Sequence, residues 1–201
     1  MTAGPSEVLI VADKSSNPEW LASDLLGQAE HDQLAQCILI SKDKIILEKT
    51  KKEVFEQLKN LPRSSIAKKS LMMNGILIYA NSDKKIIEIT NKIGPEHLEL
   101  NVKNYKSFVA KIKNAGSVCL GKYAVMAMTD YGAPGSNHVL PTDSSSKYSS
   151  GLNVSEFMKK ISYITLSKKG IDKLGPSVIT LANYEGLQGH AQSIVKRIRR
   201  K

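Results

Sequence analysis

Ser6-Glu7-Val8-Leu9-Ile10-Val11-Ala12-Asp13 is a short apolar run framed by a serine-acid pair and an aspartate. A run this short, continuous and β-branched fits a strand covered on both faces, the kind found in parallel sheets. Just downstream, Asn17-Pro18-Glu19 supplies an N-cap, a first-turn proline and an early acid. They predict a helix to about His31, with Leu21, Leu25 and Ala29 on one face. Gln36 to Ser41 reads as the next strand, Lys42 to about Leu61 as a long charged helix closed by Pro62, and Asn74 to Asn81 as a third strand. Ser82 caps a helix that Gly94-Pro95 stops. Lys103 to Asn114 is predicted helical, and Ala115 to Gly121 a strand. This alternation argues an α/β layer with a mostly parallel sheet, whose ligands are expected at the carboxyl ends of its strands. No G-x-G-x-x-G is present, so the usual dinucleotide fingerprint is missing.

From Thr129 to Gly151 the composition turns to Gly, Pro, Ser, Asn and Asp, a loop long enough to suggest function. Residues 1–150 are expected to form an α/β domain and residues 151–201 a small, mostly helical C-terminal arm. In that arm a helix is predicted near Val154 to Lys160, a strand at Ile161 to Ser167, and helices from Ile171 to Leu174 and from Ser177 into the tail.

The chain has 201 residues, 41% hydrophobic and 24% charged, which suits a soluble globular protein with a proper core. No apolar run approaches the roughly 20 residues of a membrane span, and the first residues lack the marks of a secretory signal. Cys37 and Cys119 lie in apolar, strand-like runs and fit buried reduced thiols of a cytoplasmic protein. A net charge of +10 raises nucleic acid as a partner, but the lysines are scattered apart from the tail Lys196 to Lys201. With 5% aromatic residues and no stacking motif, nucleic-acid binding is the weakest of the readings.

Chemistry concentrates at the four histidines. In Gly94-Pro95-Glu96-His97-Leu98-Glu99-Leu100 a carboxylate and an imidazole stand side by side at a turn, where a scaffold can hold a proton-handling pair. A solvated surface pair is the ordinary alternative. Gln28 and His31 project from one face of a predicted helix, where they could present an amide oxygen and an imidazole to one metal ion; a polar helix end is the plain alternative. Asp130 adds a carboxylate and His190 an imidazole, and together these four make an N/O set suited to zinc. Spacing alone does not derive a site from such distant segments.

Six runs carry a resemblance: A-G-P-S-E-V-L-I-V-A-D from Ala3, D-L-L-G-Q-A-E-H from Asp24, G-P-E-H-L-E-L from Gly94, D-Y-G-A-P-G-S-N-H-V-L-P-T from Asp130, S-S-G-L-N-V-S-E-F-M from Ser149 and E-G-L-Q-G-H-A from Glu185. In this order they resemble the histidinol dehydrogenase family over essentially the whole chain. The resemblance implies an incomplete Rossmann-like sheet and Gln28, His31, Asp130 and His190 as zinc ligands. Glu96 and His97 match the family's catalytic acid/base residues. Ser6, His97, Glu185 and His138 match contacts to the substrate, as do the four zinc ligands. The implied reaction oxidises L-histidinol through the aldehyde to L-histidine in two NAD-dependent steps, the last step of histidine biosynthesis. The implied assembly is a homodimer whose exchanged C-terminal segments bring Glu185 and His190 to the partner's site.

Two departures qualify this. Family members are about twice as long, and the N-terminal half, expected to hold the NAD-binding residues, has no counterpart here. A split gene product or a truncated reading frame is therefore expected, inactive without a separately supplied N-terminal half. The Asp130 to His138 loop is also one residue longer than the usual family form. The competing reading is a non-catalytic zinc- or imidazole-binding remnant.

Overall fold

In the computed structural model, which describes residues 4–132, 135 and 137–198, the apolar run forms β1 (Glu7–Ala12), buried along its whole length. A strand with apolar side chains on both faces needs neighbours on both edges and a helical layer on each side, and β1 has them. It pairs in parallel with β2 (Gln36–Ser41) on one edge and β4 (His97–Asn101) on the other. Beyond β2 lies β3 (Gly75–Tyr79), and beyond β4 lies β5 (Ser117–Leu120), giving the all-parallel order β3-β2-β1-β4-β5. This is the doubly wound, Rossmann-like topology, with strand order reversing between β1 and β4.

Helices cover both faces. Val8, Ile10, Cys37 and Leu39 pack beneath α1 (Pro18–Ala29), α2 (Lys44–Leu58), α3 (Ser64–Asn74) and the short α6 (Met126–Tyr131). Leu9, Val11, Ile38, Leu98 and Leu100 pack on the opposite face against α4 (Asp83–Ile93) and the single turn α5 (Lys106–Val109). The expected caps Asn17 and Ser82 accept from the amides of Glu19 and Lys85 at 2.9 and 3.3 Å, and Asp43, not expected as a cap, does the same for Ile45 at 2.8 Å. Gly94 ends α4 in the left-handed region at φ +64°, where a Cβ would be strained.

Several expectations change. The helix expected from Lys42 to about Leu61 is α2, which ends at Leu58, before Pro62. A further helix that was not expected, α3, runs to Asn74 directly before β3, held by the Ser70 hydroxyl donating to the Ala35 carbonyl at 2.9 Å. Asn74 therefore ends a helix and lies outside the strand. The helix expected over Lys103 to Asn114 shrinks to α5 because Asn91 captures the backbone beyond it. Its side-chain oxygen accepts from the Lys113 amide at 2.7 Å, and its amide donates to the Lys111 carbonyl at 2.9 Å.

The chain divides into two compact units, Met1–Phe157 and Met158–Lys201. At the end of the first, the helix expected near Val154 to Lys160 is only a 3-10 turn over Val154–Phe157. In the second, no strand forms at Ile161 to Ser167. The two helices expected next are one, α7 (Lys168–Tyr184), which runs through Pro176, followed by α8 (Gln188–Ile198). A Cβ on Gly175 would come 2.9 Å from Ile194 Cγ2, so the absence of a side chain there lets α7 and α8 cross closely. Among the described residues no helix is long and apolar enough to cross a membrane.

Candidate active site

Because α1 runs back against β1, its C-terminal end returns to the amino ends of the strands, carrying Gln28 and His31 there. Ser6 immediately precedes β1, Glu96 and His97 open β4, and α6 brings Asp130 to the same edge. One cavity of about 270 Å³ is lined by Ser6, Gln28, His31, Glu96, His97, Asp130 and His138. The site thus gathers at the amino ends of the strands, opposite to where such sheets usually bind. The carboxyl-end crevices hold mutually satisfied charges instead: Lys42 pairs with Asp83 at 2.6 Å, and Asp13 accepts the Lys103 amide at 2.9 Å.

The Glu96-His97 pair is buried, not solvated; the two residues are 6% and 3% exposed. A reciprocal clamp fixes Glu96: its Oε2 accepts the Glu7 amide at 2.9 Å, while Glu7 Oε2 accepts the Glu96 amide at 3.2 Å. The turn before it is held from the long loop, where the Ser144 and Ser146 hydroxyls donate to the carbonyls of Ile93 and Gly94 at 2.6 and 2.8 Å. Gly116 packs so closely that a Cβ there would stand 2.7 Å from the Glu96 carbonyl oxygen.

His97 Nε2 lies 3.9 Å from Glu96 Oε1 and 3.8 Å from Asp130 Oδ1, and His138 Nδ1 lies 3.6 Å from the same Asp130 oxygen. Burial pushes the Glu96 carboxyl up to about 7, outweighing the Glu7 amide that favours its charged form; the Glu7 and Asp130 carboxylates add to the rise. Burial also lowers the His97 pKa, against the pull of Asp130. An acid raised to about 7 beside an imidazole that burial keeps in its neutral form offers a proton donor and a proton acceptor side by side near pH 7.

Asp130 stands on α6 rather than in the loop. Its side chain is 5% exposed, whereas that of His138 is 70% exposed. Gln28 is 1% exposed, yet neither its amide oxygen nor its nitrogen meets a hydrogen-bond partner among the described residues. A buried amide left without hydrogen bonds costs about 1–3 kcal/mol, a cost that a ligand donor or acceptor in the cavity would remove. With His31 and Asp130 on the same cavity, the donors fit zinc in chemistry. Among the described residues no group of three or more His, Cys, Asp or Glu side chains is drawn together tightly enough to hold a metal ion.

Glu185 and His190 belong to the second unit, at the C-terminal cap of α7 and on α8, and both are exposed. Sequence reading missed Glu7, Gly116 and a carboxyl pair, the half-buried Asp24 and the buried Glu99. The available signal was an acid inside each of two apolar strands, E-V-L-I-V-A and H-L-E-L-N.

Comparison with known proteins gives the family and supports the fold. The family model described as histidinol dehydrogenase matches residues 1–198. The histidinol dehydrogenase of Pelagibacter ubique is 74% identical over 100% of this chain, and that of Listeria monocytogenes serovar 1/2a is 46% identical over 96% of it. A crystal structure of histidinol dehydrogenase from Elizabethkingia anophelis superposes with a TM-score of 0.82 at 42% identity, covering 98% of this chain and 45% of that one. The chain spans about half the length of these relatives, 47% and 45% of the two sequences. Sequence and sheet order converge, and the chain belongs to the histidinol dehydrogenase family.

Proposed function

We propose that this chain is the C-terminal, proton-handling half of a zinc- and NAD-dependent oxidation of L-histidinol, through the aldehyde, to L-histidine. The observation that carries this reading is the single cavity in which the buried Glu96-His97 pair faces Gln28, His31 and Asp130. Removing a hydride from an alcohol requires its hydroxyl proton to leave, and His97 is the base: burial keeps its imidazole neutral and ready to accept. In the second step the aldehyde must take up water. Glu96, held up to about 7, can draw a proton from that water. Its two conformational restraints, the Glu7 amide and the Ser6 hydroxyl, aim it without supplying a permanent counter-charge.

Gln28, His31 and Asp130 would hold the zinc from this chain. Bound there, the ion supplies a template for the substrate's amine and imidazole. The exposed Glu185 and His190 suit residues that complete the site of a second subunit in a homodimer. The hydride acceptor NAD is expected on the N-terminal half of the enzyme, so the isolated chain binds zinc and substrate with little or no turnover.

The test supplies the N-terminal half of a relative as a separate polypeptide with zinc, L-histidinol and NAD, and follows NADH absorbance. Turnover is expected only with both halves. It should drop by about two orders of magnitude or more in His97→Ala and Glu96→Gln. Zinc affinity, measured by competition with a chelating dye, should fall in Gln28→Ala and Asp130→Asn. Turnover by this chain alone, or zinc binding indifferent to both of those substitutions, would overturn the reading.

A further inference from the structure

Two residues beyond His97, β4 carries a second inward acid. Glu99 is 1% exposed and faces α1 and α6 from the same side of the strand as His97. Its Oε1 accepts the backbone amide of Met126, the first residue of α6, at 2.8 Å. Among the described residues its Oε2 meets no donor, and the same is true of Oδ2 on Asp24 of α1, although the two carboxyl groups lie against each other. Two bare carboxylate oxygens buried in contact repel strongly, and each lacks the hydrogen bond that a buried oxygen requires. One proton between them removes both penalties, because the protonated oxygen becomes a donor to the other.

We propose that Asp24 and Glu99 share one proton and act as a positioning pair, clamping α1 and α6 to β4 and thereby setting the geometry of the Gln28, His31, Asp130 and His97 side chains. Glu99 is the junction. Through Asp24 it reaches α1 one helical turn before Gln28, through Met126 it holds the start of the helix that carries Asp130, and along its own strand it is continuous with Glu96-His97. Its neighbour across β5, Cys119, pairs in register with it. Burial holds that thiol up at about 12, so it stays neutral and adds no charge to the pair. Neither Asp24 nor Glu99 lines the cavity. What it positions rests on the function proposed above; the shared proton does not.

The test uses the 201-residue chain without metal at neutral pH. Infrared difference spectra against the parent, in which the Glu96 carboxyl cancels, should show the loss of one protonated-carboxyl stretching band in Glu99→Gln, an equal loss in Asp24→Asn, and no further loss in the double variant. Additive losses, or no loss in either single variant, would overturn the shared proton. Exchange of the Met126 amide should speed up by about tenfold or more in Glu99→Ala, while Glu99→Gln, which still offers an acceptor, stays within about threefold of the parent. Zinc affinity should fall about 10- to 100-fold in Glu99→Ala and recover in Glu99→Gln. Equal exchange and equal affinity in the alanine variant would refute the clamp. If the parent chain binds no zinc, the proposed function fails while the infrared and exchange measurements still judge the pair. Should Glu99→Ala not fold, Asp24→Ala replaces it for the zinc measurement, with the same fall in affinity expected and recovery in Asp24→Asn.

Discussion

Replacing Glu96 by glutamine removes a carboxyl whose ionisation the fold resists. Burial raises its pKa from 4.5 to about 7. Between those values the folded protein holds a proton that the unfolded chain has released, so stability must fall as pH rises. At about 1.4 kcal/mol per tenfold change in proton affinity, the full loss is on the order of 3 kcal/mol. Glutamine has nearly the same shape, retains an oxygen to accept the Glu7 amide, and does not titrate. Urea unfolding of both proteins, with a chelator present, should therefore give stability curves that diverge between about pH 4.5 and 7 and run parallel above it, with the variant gaining on the parent. His97 contributes with the opposite sign. Its lowered pKa makes stability fall as pH drops below 6.5, but both proteins carry it and it cancels in the difference. Curves that stay parallel across the whole range would refute the claim that Glu96 is held as a buried, reluctantly ionised acid.

Ile10→Ala truncates a side chain that is 0% exposed in the central strand, and should cost about 2–5 kcal/mol in urea unfolding. Gly94→Ala forces a Cβ into the left-handed region, 2.9 Å from the Ser146 hydroxyl; a loss of about 1–2 kcal/mol is expected by the same measurement. Cys37 and Cys119 are buried, with thiols pushed up to about 12. A thiol reagent should leave both untouched in the folded protein and modify both in urea.

The sequence by itself determined the strands β1, β2 and β5, the caps of α1 and α4, and the family. A strand wrapped on both faces must be apolar at every position, and a cap is a bond between residues two or three apart, so both are written locally. The six runs likewise name every residue of the cavity. Where partners are distant, only the tertiary structure decided the outcome. Asn91 ends α5 early by capturing the backbone of Lys111 and Lys113. Glu7 and Glu96 clamp each other across the β1–β4 pairing. The cavity forms at the amino ends of the strands because the sheet order sets β4 beside β1 and α1 runs back to their shared starting edge. Those contacts depend on which strands become neighbours, and adjacency in a sheet is fixed by how all five pack together, which no local stretch of chain encodes.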